Sequence, residues 1–185
     1  MSCTVDACVF VSAACPSDVN YAASREFLRR VRAAAEPVIC PTLVLPECAA
    51  AIFRPTHDAQ LAAQVVTMVA QFPGVEFHAL DTPRAHRAAE IAVRCALRGA
   101  DAVYVAVAEE FSATLVTWDA EVLQRAPGTL TRLIPSQWSP PPPQPPSPVS
   151  LRRITLPRVD GEATPSPSSE SGPQRRITLP RVDGE

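Results

Sequence analysis

The sequence predicts an α/β fold in which a mostly parallel sheet is covered by helices on both faces, and three observations carry that prediction. Short apolar, β-branched runs alternate with stretches of helical periodicity over the first 138 of 185 residues. Acidic residues recur where those short runs end or the helices begin, the edge at which such sheets form their sites. After Trp138 the chain turns to Ser-Pro-Pro-Pro-Pro-Gln-Pro-Pro-Ser-Pro, an extended, semi-rigid composition that closes the globular pattern. Residues 1–138 are therefore expected to form one domain with a real core, and 139–185 a linker and tail of disordered type.

In chain order, Cys3-Thr4-Val5-Asp6 and the apolar run to about residue 13 read as a buried strand and the turn out of it, with Asp6 at the strand's end. From Ser17 to Ala35 a helix is expected, because Tyr21, Phe27, Leu28 and Val31 share a spacing that leaves Arg25, Arg29, Arg30 and Arg32 on the other faces. Pro37 ends it. Val38-Ile39-Cys40 is a short strand, and Pro41-Thr42 opens a helix that carries Glu47 one to two turns in and breaks at Arg54-Pro55. Asp58 to Phe72 is helical, with Leu61, Val65, Met68, Val69 and Phe72 on one stripe. Pro73-Gly74 punctuates, and Val75, Phe77 and Ala79 alternate with Glu76 and His78 as a half-buried strand. Asp81-Thr82-Pro83 caps a helix from about Arg84 to Leu97, whose Arg84 and Arg87 read as its solvated face. Gly99 reads as its stop, and a further helix runs from Asp101 to about Phe111. A strand over 114–118 ends on Asp119, followed by a short helix from Ala120 to Arg125 and a last strand from Leu130 to Ile134.

Charge narrows the function classes. The chain has no lysine, and residues 1–138 hold 11 Arg against 14 Asp plus Glu, a balance of −3. Binding of nucleic acid by bulk charge is thus disfavoured, and any such role rests on a local patch or on metal ions that bridge to phosphate. Arg25, Arg29 and Arg32 share a helical spacing that suits either a phosphate contact or a solvated face. His57, His78 and His86 have no Ser or Cys partner in a recognisable catalytic motif. The six cysteines contain no Cys-x-x-Cys pair, so they read as reduced, buried thiols of a cytoplasmic protein rather than as a zinc site. The segment from Ala7 to Cys15 follows an acid, lacks a basic flank and is too short to span a bilayer, so no membrane role is expected.

Asp6, Glu47, Asp101 and Asp119 lie on four different elements. By spacing alone they fit separate helix caps and surface positions as well as a shared site. If they converge, four like charges repel and need protons or divalent cations, and an all-oxygen set suits Mg²⁺ or Mn²⁺. Such a cluster activates water for in-line attack on a phosphodiester.

The order of four motifs resembles a PIN domain and, within that superfamily, a VapC-type toxin ribonuclease. The motifs are Val5-Asp6-Ala7-Cys8-Val9, Pro41-Thr42-Leu43-Val44-Leu45-Pro46-Glu47, Gly99-Ala100-Asp101-Ala102-Val103-Tyr104-Val105-Ala106-Val107-Ala108, and Leu115-Val116-Thr117-Trp118-Asp119. The resemblance implies a three-layer α/β/α sandwich and a Mg²⁺- or Mn²⁺-dependent endoribonuclease that cuts structured RNA. It implies Asp6, Glu47 and Asp101 as main metal ligands, Asp119 completing the site, and Thr117 as a hydroxyl that orients a carboxylate or water. It also implies a homodimer held in check by a VapB-type antitoxin. The rival reading is a non-catalytic PIN-like module whose Pro- and Arg-rich tail binds a protein partner. In that tail Arg152 to Glu162 recurs unchanged as Arg175 to Glu185. Its arginines, Arg152, Arg153 and Arg158 with Arg175, Arg176 and Arg181, read as an acid-seeking segment, as charge for RNA, or as a duplication without a role in the site.

Overall fold

The computed structural model describes residues 2–140. Its elements are β1 (Cys3–Val5), α1 (Ala7–Ala14), α2 (Tyr21–Ala33), β2 (Val38–Pro41), α3 (Val44–Thr56), α4 (Ala59–Ala70) and β3 (Val75–His78). They continue with α5 (Thr82–Cys95), α6 (Gly99–Glu110), β4 (Thr114–Val116), α7 (Ala120–Arg125), β5 (Arg132–Leu133) and a closing 3-10 turn, Pro135–Gln137. The five strands are all parallel and ordered β3-β2-β1-β4-β5. The chain therefore leaves β1 toward one edge of the sheet and comes back to its other side as β4. Right-handed crossovers place α1 to α4 on one face and α5 to α7 on the other. The packing agrees: α1 meets α2, α3 and α4, while α5 lies on α6 and α6 covers β1, β2 and β4. This is the expected three-layer sandwich.

Because both faces of the sheet are covered, its central strands are apolar throughout: Cys3, Val5, Val38, Leu115 and Val116 are fully buried. Helix α6 is buried without interruption from Ala102 to Ala108, because it is sandwiched between the sheet and α5 and its alanines allow close approach. Phe10, Phe27, Ile52 and Ile91 fill the helix layers, each worth about 1.5–3 kcal/mol of transfer from water. After the closing turn Trp138 packs edge-on against Phe27, ring centroids 5.5 Å apart.

Several elements depart from the expectation. The run after Asp6 is a helix, not the end of a strand and a turn. An unbroken apolar run fits a buried helix and a buried strand alike; here Asp6 decides, its carboxylate accepting from Cys8 N at 3.3 Å as the cap of α1. Helix α2 begins at Tyr21 rather than Ser17, because the Asp18 carboxylate turns the chain by accepting from Asn20 N at 2.7 Å. Pro55 does not break α3 but rides in its last turn, and His57 ends the helix in the left-handed region at φ 53°. Ala96, at φ 50°, stops α5, so Gly99 is no stop: it opens α6. Arg84 and Arg87 are not a solvated face. They clamp α5 to α6 through Glu110 at 2.6 Å and Glu109 at 2.7 Å.

Among the described residues no helix is long and apolar enough to cross a membrane. The six cysteines are free thiols, with Cys3, Cys40 and Cys48 buried. The expectations for the Pro-rich linker and the duplicated segment lie outside the described residues from 141 onward.

Candidate active site

The sheet order reverses between β1 and β4, and the crevice beyond their carboxyl ends is where such a sheet opens. Parallel pairing of Val5 with Val116 sets Asp6 and Thr117 side by side just past the last rungs of the ladder. Asp6 N donates to Val116 O at 3.0 Å, and the fully buried Thr117 hydroxyl donates to Asp6 Oδ2 at 2.5 Å. The same Thr117 oxygen accepts from Asp119 N at 2.9 Å, so one hydroxyl ties two acids together. Asp119 then caps α7, its Oδ1 accepting from Glu121 N at 2.7 Å and Val122 N at 3.1 Å. Its other oxygen, Oδ2, is left facing the crevice.

Two further acids enter from the flanking helices. Glu47 lies in the first turn of α3, directly after β2, and its Oε2 accepts from the Tyr104 hydroxyl at 2.5 Å. Tyr104 comes from α6, one turn beyond Asp101 on the same face of that helix. Asp101 Oδ2 in turn accepts from Arg98 Nε at 2.8 Å, and the Nη2 of Arg98 reaches Asp119 Oδ2 at 2.5 Å. Asp6, Glu47, Asp101 and Asp119 all line one cleft of about 570 Å³, with Arg54 and Arg98 beside them.

Burial is the main cause of a raised carboxyl pKa at Asp6, Glu47 and Asp101, and neighbouring acids add to it. Opposing this are hydrogen bonds from Thr117 and Cys8 at Asp6, from Tyr104 at Glu47, and from Arg98 at Asp101. The donor set suits a hard divalent cation in its chemistry: it is all oxygen, comes from four elements around one cleft, and carries more negative charge than the arginines beside it balance. The carboxylates surround the cleft rather than meet at a point, and among the described residues no three Asp, Glu, His or Cys side chains form a closed metal centre. Arg98 bridges two of them, Asp101 and Asp119.

The structure thus brings the four acids expected from the sequence around one cleft and sets Thr117 behind it, bonded to Asp6. Arg98 and Tyr104 were not foreseen as partners of these acids. Arg98 looks like any solvated arginine and Tyr104 like a core aromatic; only a spacing of three residues from Asp101 on either side hints that both sit near it. Cys8 is a third addition, its Sγ accepting from Trp118 N at 3.3 Å and touching Thr117 Oγ1 at 3.5 Å. The three histidines are absent from the cleft lining. Arg25, Arg29 and Arg32 line a separate hollow of about 460 Å³ between α2 and α4, away from the acids.

A search of curated proteins finds no match. Among solved structures the fold is similar to VapBC2 from Rickettsia felis bound to a promoter DNA fragment, at 12% identity and TM-score 0.57 over 72% of this chain and 98% of that one. It is also similar to the sarcin-ricin loop cleaving toxin VapC20 of Mycobacterium tuberculosis, at 18% identity and TM-score 0.56 over 66% and 94%. FitAcB from Neisseria gonorrhoeae matches at 17% identity and TM-score 0.57 over 73% and 99%. At these identities the likeness shows the fold alone. The PIN domain family model matches residues 3–128, which takes in all four acids and the whole of the sheet up to β4, and the chain belongs to that family.

Proposed function

We propose that this chain is a Mg²⁺- or Mn²⁺-dependent endoribonuclease and the toxin of a toxin–antitoxin pair. The observation that carries the reading is the arrival of four carboxylates from four elements around one cleft at the point where the sheet order reverses. Family membership and the fold shared with a sarcin-ricin loop cleaving toxin support it. Asp6, Glu47 and Asp101 are the main ligands for the ion and Asp119 completes the set. When bound, the ion supplies an activated water and offsets the charge that builds on the phosphate.

The chain's own residues do the positioning. Thr117 holds Asp6 in one rotamer while anchoring the backbone of Asp119, and Tyr104 does the same for Glu47. Both oxygens of Asp6 already accept a bond, Oδ1 from Cys8 N and Oδ2 from Thr117, so an ion would meet lone pairs of a carboxylate whose orientation is fixed. With the domain at −3, RNA must be held by local arginines and by the ion itself rather than by bulk charge. The VapBC2 complex named for one of the similar folds supports a VapB-type antitoxin as partner. A homodimer and a cytoplasmic site of action complete the proposal.

The test is Asp101→Asn. Cleavage of a structured RNA and growth inhibition should both vanish while the circular-dichroism spectrum stays that of the parent. Undiminished growth inhibition by that variant would instead favour the non-catalytic module that works through its tail.

A further inference from the structure

The acidic cleft already holds a cation of the chain's own. Arg98, the residue before α6, places Nε on Asp101 and Nη2 on Asp119, at 2.8 and 2.5 Å. Its charge also reaches Glu47 and Glu121. One guanidinium thus spans two acids that are 18 positions apart in the chain. Both bonds end on Oδ2 atoms, and Asp119 has spent its other oxygen on the cap of α7. Asp119 Oδ2 is the only carboxylate oxygen of that residue free of backbone bonds, and the guanidinium sits on it. At Asp119 a guanidinium and a divalent ion would seek the same oxygen, and at both acids Arg98 offsets the charge that the ion would meet.

The bridge is firm enough to hold and weak enough to yield. Its bonds are charge-assisted, yet 68% of the Arg98 side chain is in solvent while Asp101 and Asp119 are mostly covered. An arginine so exposed can swing fully into water with no desolvation cost of its own, and pairs with an exposed partner contribute little to stability.

We infer that Arg98 is a resident competitor for the divalent ion, holding Asp101 and Asp119 together in the metal-free protein and leaving both when an ion is bound. This rests on the metal reading above. Competition of this kind divides the intrinsic dissociation constant by the fraction of molecules whose acids are released, which weakens apparent binding, so Arg98 sets the ion concentration at which the site fills.

Two measurements on the full chain test this. Calorimetric titration with MnCl₂ compares the parent with Arg98→Met, which keeps the apolar stem and removes every donor. The variant should bind Mn²⁺ about three- to tenfold more tightly, the size expected for loss of two partly exposed charge-assisted bonds. Independently, the Nε–H signal of Arg98 in the ¹⁵N spectrum of the parent, assigned by its absence in the variant, should be protected in EDTA and lose protection at saturating Mg²⁺. Equal or weaker Mn²⁺ binding by the variant, or an Nε–H signal that Mg²⁺ leaves unchanged while the ion binds, overturns the role of Arg98 and leaves the metal reading standing. No ion binding by either protein overturns both.

Discussion

Asp6 is the most deeply buried of the four acids, and the consequence can be worked through in sign. Burial lifts its folded-state pKa above the ordinary carboxylate value. The folded protein then holds that proton more tightly than the unfolded chain, so the stability contributed is present at low pH and lost as pH rises through the folded pKa. In EDTA, Asp6→Asn should therefore melt above the parent at neutral pH, with the gap closing as the buffer is taken down to about pH 4. Asn preserves the helix cap, so loss of the cap does not cloud the comparison. Thr117→Val keeps the shape of the residue but removes the hydroxyl that bonds Asp6 and receives Asp119 N. Divalent affinity, read by calorimetry, should fall about 10- to 100-fold. The acids themselves were legible because each ends a strand or starts a helix in apolar surroundings. Their partners were not: Tyr104 meets Glu47 and Arg98 meets Asp119 only once α6 has docked, across 57 and 21 residues of chain.

Among the elements, alternation of strand and helix was readable, while the boundaries turned on single groups that periodicity does not weigh. Whether the run after Asp6 would be strand or helix depended on one carboxylate reaching one backbone N–H, and the end of α5 on Ala96 accepting a left-handed conformation that Gly99 was expected to take. The arginines of α5 show the same limit. An arginine at a helix start is usually solvated, but Arg84 lies against α6, with 12% of its side chain exposed. Its fork grips Glu110 through Nε and Nη2 at 2.6 and 2.8 Å. Because Glu110 is itself half exposed, a double-mutant cycle of Arg84→Ala and Glu110→Ala, read by urea denaturation, should give a coupling of only about 0.5–1 kcal/mol.

For the whole molecule, parallel strands could be inferred from the alternation, and the half-polar β3 and β5 suit the sheet edges they occupy, but nothing in the apolar β2 and β4 says that the two flank β1 on opposite sides. The observed order puts the reversal at β1, and that alone turns four dispersed acids into neighbours. Near the end of the described residues Trp138 is 5% exposed and edge-on to Phe27 of α2. Trp138→Ala should cost about 3 kcal/mol in the urea midpoint analysis, as expected for a large cavity under a helix. The most direct measurement of the central claim is anomalous diffraction from crystals of the full chain soaked in Mn²⁺. The expected result is a manganese peak coordinated by oxygens of Asp6 and Asp101 within the cleft. A saturating soak with no ordered ion among Asp6, Glu47, Asp101 and Asp119, in crystals where the cleft is open to solvent, would contradict it.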